Sequence, residues 1–132
     1  MSISPLAKKL RFAADQLVLI INPPSDYISE LGELPEGTTI VHEPQGKYPH
    51  VQLFVNNRRA FDHLGHTALS AVEYDGVFWV CYPKRSSKTA TDLSRDAMWD
   101  LYAGSGLHPV SQVSINEIWS AVRFRPNERV GK

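Results

Sequence analysis

Leu17-Val18-Leu19-Ile20-Ile21-Asn22-Pro23-Pro24 is the stretch that decides the fold. An unbroken apolar run lacks the polar alternation of a strand wetted on one face, and the two prolines stop it before it reaches helical length. The reading is a central parallel strand covered on both sides. Upstream, Ser4 followed by Pro5 has the pattern of an N-cap with proline in the first helical turn, predicting an amphipathic helix through about Ala14. Downstream, Ser25 is placed to cap a short helix through Leu31, with Gly32 as its stop.

The next segments alternate. Thr38 to His42 is a short β-branched strand, and Pro44, Gly46 and Pro49 exclude a helix from the loop after it. His50 to Val55 reads as another strand. Asn56 or Asn57 then caps a helix whose apolar stripe is Phe61, Leu64, Ala68, Leu69 and Val72. Asp75-Gly76 is a turn into the strand Val77 to Tyr82. Thr91 or Asp92 caps a further helix to about Ala103, burying Leu93, Ala97, Met98 and Leu101 and ended by Gly104-Ser105-Gly106. Val110 to Ile115 and Ala121 to Phe124 form two strands, and the short link Asn116 to Ser120 makes them an antiparallel hairpin.

Strands alternating with helices and closing on a hairpin predict an α/β, Rossmann-like fold, with a mostly parallel sheet of about six strands and antiparallel pairing at the C-terminus. At 132 residues the chain suits one domain, expected over 1–126 with a flexible tail at 127–132. Lys plus Arg equals Asp plus Glu at 14 each, so no net field draws the chain to nucleic acid or to an anionic membrane. Cys81, the single cysteine, lies inside an apolar strand and reads as a core residue of a reducing compartment. No stretch approaches the roughly 18 apolar residues of a membrane helix, and a cytoplasmic address is expected.

Two resemblances extend this reading. The strand Val77 to Tyr82 with Pro83, the helix from Asp92 and the hairpin ending Val122-Arg123-Phe124-Arg125 look like the C-terminal half of a class I methyltransferase domain, truncated here by one helical crossover. Leu19-Ile20-Ile21-Asn22-Pro23-Pro24, Tyr82-Pro83-Lys84-Arg85-Ser86-Ser87, Thr91-Asp92-Leu93 and Glu117-Ile118-Trp119-Ser120-Ala121-Val122-Arg123-Phe124 resemble a family of small bacterial proteins of unknown function. Its fourth strand ends in Pro-Lys-Lys-Ser, and Arg85 here keeps the second positive charge. The family implies a fold and no activity. Methyltransferases place a glycine-rich turn after the first strand so that the backbone approaches the cofactor; this chain has Asn22-Pro23-Pro24-Ser25 there, with two ring nitrogens that carry no N–H. Glu43 is the counterpart of the acid that the resemblance would set on a ribose. No cofactor is expected to bind.

Ligands of open α/β sheets bind beyond the carboxyl ends of the strands, where three loops of this chain are predicted to gather. Lys84, Arg85, Ser86, Ser87 and Lys88, with Thr91, supply cations and hydroxyls ahead of a helix and suit a phosphate or carboxylate. The bland alternative is a solvated loop with an ordinary helix cap. Asn22 and Pro23 resemble the start of the Asn-Pro-Pro-Tyr tetrad of amino-methylating enzymes, but here follow the first strand, where a rigid turn is the simpler role. Glu117 and Trp119 offer a carboxylate and a stacking face, and Trp119 serves equally as a core anchor. His63 and His66, three apart on one helix, have a spacing that binds metal, and His42 with Glu43 would add ligands, but nothing in the sequence fixes them together, so no metal is expected. These features predict a non-enzymatic or degenerate methyltransferase-like module that binds an anionic small molecule or a protein partner. The alternatives are an S-adenosylmethionine-dependent methyltransferase with an atypical pocket, or a homo-oligomerising scaffold using an edge strand or the Trp99 and Tyr102 face.

Overall fold

The computed structural model describes residues 3–84, 91–94 and 96–131. One six-stranded sheet is built from β1 (Leu17–Ile21), β2 (Thr39–Val41), β3 (Tyr48–Phe54), β4 (Val72–Pro83), β5 (Leu107–Ser114) and β6 (Trp119–Pro126) in the order β2-β1-β3-β4-β6-β5. β1 pairs in parallel with both β2 and β3, and β3 with β4. β6 runs antiparallel to β4 and to β5. This is the α/β, Rossmann-like architecture read from the sequence, with the terminal hairpin where it was expected. β1 is the unbroken apolar run, and Val18, Leu19 and Ile20 are wholly buried between two layers.

The helices flank it unequally. On one face α3 (Arg58–Ala71) and the short α4 (Met98–Leu101) cover Leu19, Val51, Leu53, Phe78, Val80 and Phe124. On the other, α1 (Pro5–Lys9) and α2 (Tyr27–Glu30) cover Val18, Ile20, Phe54, Trp79 and Cys81. Asn57 caps α3, its Oδ1 accepting from Ala60 N at 2.9 Å, and Ser4 caps α1 by accepting from Ala7 N at 3.0 Å. The Trp79 indole N–H donates to Leu10 O at 2.9 Å, tying the end of α1 to the middle of the sheet.

Several boundaries differ from those the sequence predicts. α1 ends at Lys9 and not near Ala14, because Arg11 adopts a left-handed conformation (φ 65°) and turns Phe12 back against His50, with ring centroids 4.7 Å apart. Asp75-Gly76 does not begin a new strand. β4 already starts at Val72, and the pair forms an irregularity within it, with Asp75 left-handed (φ 54°). Arg125 clamps the Asp75 carboxylate with two bonds of 2.9 Å, which holds that carboxyl below its ordinary range. The helix expected from Asp92 to Ala103 shrinks to Met98–Leu101 followed by a 3-10 turn, Ala103–Ser105. Asp92 is drawn away from it, its Oδ1 accepting from Arg58 N at 2.8 Å at the start of α3. Within the segment expected to be a flexible tail, Asn127–Arg129 forms a 3-10 turn. Glu128 there accepts from the Tyr74 hydroxyl at 2.6 Å, and Arg129 reaches Asp75 at 3.2 Å.

The link from β2 to β3 is unusual for parallel strands. These strands lie on opposite sides of β1, and only residues 42–47 carry the chain across it, where a parallel crossover ordinarily takes about a dozen residues including a helix. No helix therefore covers the outer flank of α3 on that side. Among the described residues, no helix is long and apolar enough to cross a membrane.

Candidate ligand cleft at the carboxyl edge of the sheet

The strand order reverses between β1 and β3, and the loops leaving the carboxyl ends of the strands are bonded to one another. Asn22, directly after β1 and left-handed (φ 59°), donates from Nδ2 to Phe54 O at 3.1 Å at the end of β3. Val55 N donates to Cys81 O at 3.0 Å, which joins that end to β4. Lys84 N donates to Ile118 O at 2.7 Å, and Lys84 Nζ to Ser114 Oγ at 2.6 Å, fixing the exit of β4 against the hairpin. The hairpin turn closes around Asn116, whose Oδ1 accepts from both Ile118 N and Trp119 N, while its Nδ2 donates to Glu30 Oε2 of α2 at 2.8 Å. The loops after β1, β4 and β5 thus share one edge.

Within this edge an open cleft of about 530 Å³ lies at the reversal point, lined by Asn22, Asn57, Arg59, Ala60, His63 and Leu64. Its volume is in the range of small-molecule sites, and its polar groups are two amides, a guanidinium and an imidazole. Among its described lining residues there is no carboxylate. Arg59 and His63 are exposed and stand one helical turn apart on α3. At the start of α3, Arg58 N donates to Asp92 and Ala60 N to the Asn57 cap, so an anion in this cleft would meet chiefly side chains.

The residues singled out by sequence fall into four groups. Asn22 lines the cleft, and half-buried Pro23 follows it in the turn after β1. Lys84 is tied to the hairpin, exposed Glu117 sits in the hairpin turn, and Thr91 accepts from Leu93 N at 3.1 Å in the segment leading to α4. Arg85, Ser86, Ser87 and Lys88 lie outside the described residues. Trp119 stands edge-on to Phe54 with centroids 5.2 Å apart, the position of an anchor between hairpin and core. Asn57, Arg59 and Leu64 were not read as site residues, and His63 was weighed only for metal. Their spacing on α3 was visible, but nothing in the sequence says which helical face adjoins the turn after β1. His63 lines this cleft and His66 a neighbouring one; among the described residues no three His, Cys, Asp or Glu side chains gather as metal ligands. Tyr102, proposed as part of an exposed face, is instead buried, its hydroxyl donating to Gly65 O at 2.8 Å, whereas Trp99 is 54% exposed.

No protein-family model and no curated protein matches the chain. Solved structures do match its fold. A type 11 methyltransferase assignment from Sulfolobus solfataricus aligns with a TM-score of 0.54 at 8% identity, over 89% of this chain and 88% of that one. Methanocaldococcus jannaschii Trm5, solved with adenosine, aligns at 0.54 and 14% identity over 96% of this chain, which spans 49% of Trm5. A Streptococcus agalactiae protein of the NADB-Rossmann superfamily aligns at 0.53 and 10% identity, over 96% and 69% of the two chains. The chain has a class I methyltransferase-like fold. At these identities the likeness is one of fold alone.

Proposed function

We propose that the chain is a methyltransferase-like module that binds an anionic small molecule at the carboxyl edge of its sheet, without catalysing cofactor-dependent methyl transfer. The observation that carries this reading is the cleft at the strand-order reversal, which holds Arg59 and His63 and no carboxylate. Lys84, at the end of β4, stands on the same edge, and the sequence that follows it to Thr91 is rich in cations and hydroxyls.

The adenosine-type cofactor that the fold implies does not fit the residues after β1. Pro23 and Pro24 supply no N–H, and the Asn22 amide is spent on Phe54 O. Glu43 follows β2 as an exposed side chain, but a single carboxylate does not replace the missing backbone donors. The fold likeness to methyltransferases keeps one second reading in play, a methyltransferase with an unusual pocket. A cytoplasmic address belongs to the main reading, since Cys81, the single cysteine, is a buried core residue of the kind found in a reducing compartment.

Titration calorimetry with inorganic phosphate and pyrophosphate tests the proposal. Arg59→Ala is expected to weaken binding about tenfold, the loss of one charge-assisted contact, and the pair Lys84→Ala/Lys88→Ala at least as much. Affinity unchanged in both variants rejects the site. Heat released by S-adenosylmethionine at millimolar concentration would support the second reading instead.

A further inference from the structure

The outer flank of α3, left bare by the helix-less crossover, carries two clefts. One is the ligand cleft with Arg59 and His63. The other, about 570 Å³, is lined by Pro44, Gly46, Lys47, His66, Thr67, Ser70 and Ala71. Arg59, His63, His66 and Ser70 follow one another at helical spacing along this side of α3. Neither cleft is lined by Asp or Glu, although acidic and basic residues are equal in number over the chain. Asp62, the acid of α3, pairs with Arg58 at 3.3 Å and lines a different pocket beside Tyr102, which His66 also borders. Lys47 also borders a pocket holding Glu73 and Asp75, the latter clamped by Arg125. Glu43 lies in the crossover loop but lines neither cleft.

The opposite layer carries the complement. From Asn22 to Thr39 the sequence contains no Lys or Arg, and Asp26, Glu30, Glu33 and Glu36 are all exposed there, with Ile28 exposed among them. α1 brings Lys8 and Lys9 to the same layer, yet among the described residues no ion pair joins them to these carboxylates. A chain with no net charge is therefore divided into a cationic flank on one face of the sheet and an acidic segment on the other.

We propose that the chain associates head to tail, the acidic 26–36 segment of one copy lying along the Lys47, Arg59, His63 and His66 flank of α3 in the next. The two surfaces differ, so the contact is heterologous, and each copy keeps one free surface for another copy. A second copy is favoured over a nucleic acid because the chain has no net positive charge to attract phosphates, whereas its own surface supplies the matching carboxylates. Ile28 enters the contact as the apolar element that desolvates the charged pairs. The inference stands apart from the anion-binding reading, because the assembly is measured with no added phosphate.

Sedimentation velocity of the full chain at low ionic strength is expected to show association that deepens with concentration and dissolves in about 1 M salt, where the Debye length falls to about 3 Å. Lys47→Glu/Arg59→Glu and Glu30→Lys/Glu33→Lys are each expected to weaken self-association about tenfold or more, with circular dichroism confirming that both variants are folded. Mixing the two variants should restore association, because the intact acidic segment of one meets the intact flank of the other and the two reversed surfaces are again opposite in charge. A wild-type monomer at low salt overturns the proposal, as does self-association unaffected by either reversal, or failure of the mixture to pair. If a reversal variant does not fold, hydrogen exchange of the wild type decides: slowing with concentration at 26–36 and along α3 supports the contact, and slowing elsewhere overturns it. Failure of phosphate to bind with assembly intact removes the ligand reading alone.

Discussion

The two faces of the sheet are buried to a similar depth but built from different chemistry. Beneath α3 and α4 the core is apolar and aromatic: Phe78, Phe124, Phe61 and Tyr102 meet with ring centroids 4.9 to 6.3 Å apart. Beneath α1 and α2 a polar chain runs through the core. The Tyr27 hydroxyl donates to Gln52 Oε1, and Gln52 Nε2 donates to His50 Nε2 at 3.0 Å, with Gln52 and His50 wholly buried in the central strand β3. Burial on the first face therefore demands chiefly volume, with the Tyr102 hydroxyl as its polar exception, whereas the second demands donors matched to acceptors from Tyr27 through Gln52 to His50 Nε2. That matching is specific: it fixes α2, and the turn after β1 that precedes it, against one position along β3.

The largest expected effect tests the apolar face. Phe124→Ala removes a ring in contact with two others and should cost about 3–5 kcal/mol in urea unfolding, as buried phenylalanine truncations do. A loss under about 1 kcal/mol would mean this face collapses around the void and is less tightly packed than its ring contacts imply.

The next tests the polar face through acid. Burial, reinforced by the neighbouring Arg123 charge, lowers the His50 pKa from 6.5 to about 3. Its folded value is the depressed one, so the unfolded chain binds the proton first as pH falls. Stability is complete above pH 6.5 and is lost progressively toward pH 3, by up to about 1.4 kcal/mol per pH unit. Denaturant melts between pH 6.5 and about 5, above the main carboxylate range, should show this slope, and His50→Leu should flatten it. An unchanged slope in that variant would assign the acid sensitivity elsewhere.

A smaller effect sharpens the comparison. Gln52→Leu strands the Tyr27 hydroxyl and His50 Nε2 and should cost about 1–3 kcal/mol. Adding Tyr27→Phe to it should cost less than the two single changes summed, because the second removes a group already without its partner. Strict additivity would show that the three residues do not act as one chain.

Much of the fold was legible because it is written locally. The β1 run and the Asn57 cap are matters of adjacent residues, and both lie where local chemistry puts them. Asp92 shows where such reading stops. As a cap residue it was assigned to the helix that follows it in sequence, but the competing N–H groups of α3, 34 positions away, take its carboxylate. The α4 helix is correspondingly short. In the same way Asn22 was legible as a turn residue, while its neighbours in the cleft, Arg59 and His63, come from a helix more than thirty residues later.

The sequence by itself determined the order and type of the main elements though not all their bounds, that the sheet is mostly parallel, and that the turn after β1 offers prolines where a cofactor would need N–H groups. These follow from side-chain periodicity and from the covalent geometry of proline, properties of a residue and its immediate neighbours. Only the tertiary structure decided that β2 and β3 lie on opposite sides of β1, so that the helix-less link read from Pro44, Gly46 and Pro49 crosses β1 and leaves the cationic flank of α3 uncovered and opposite the acidic segment. Which charges share a face depends on how distant elements pack, and no local pattern along the chain encodes it.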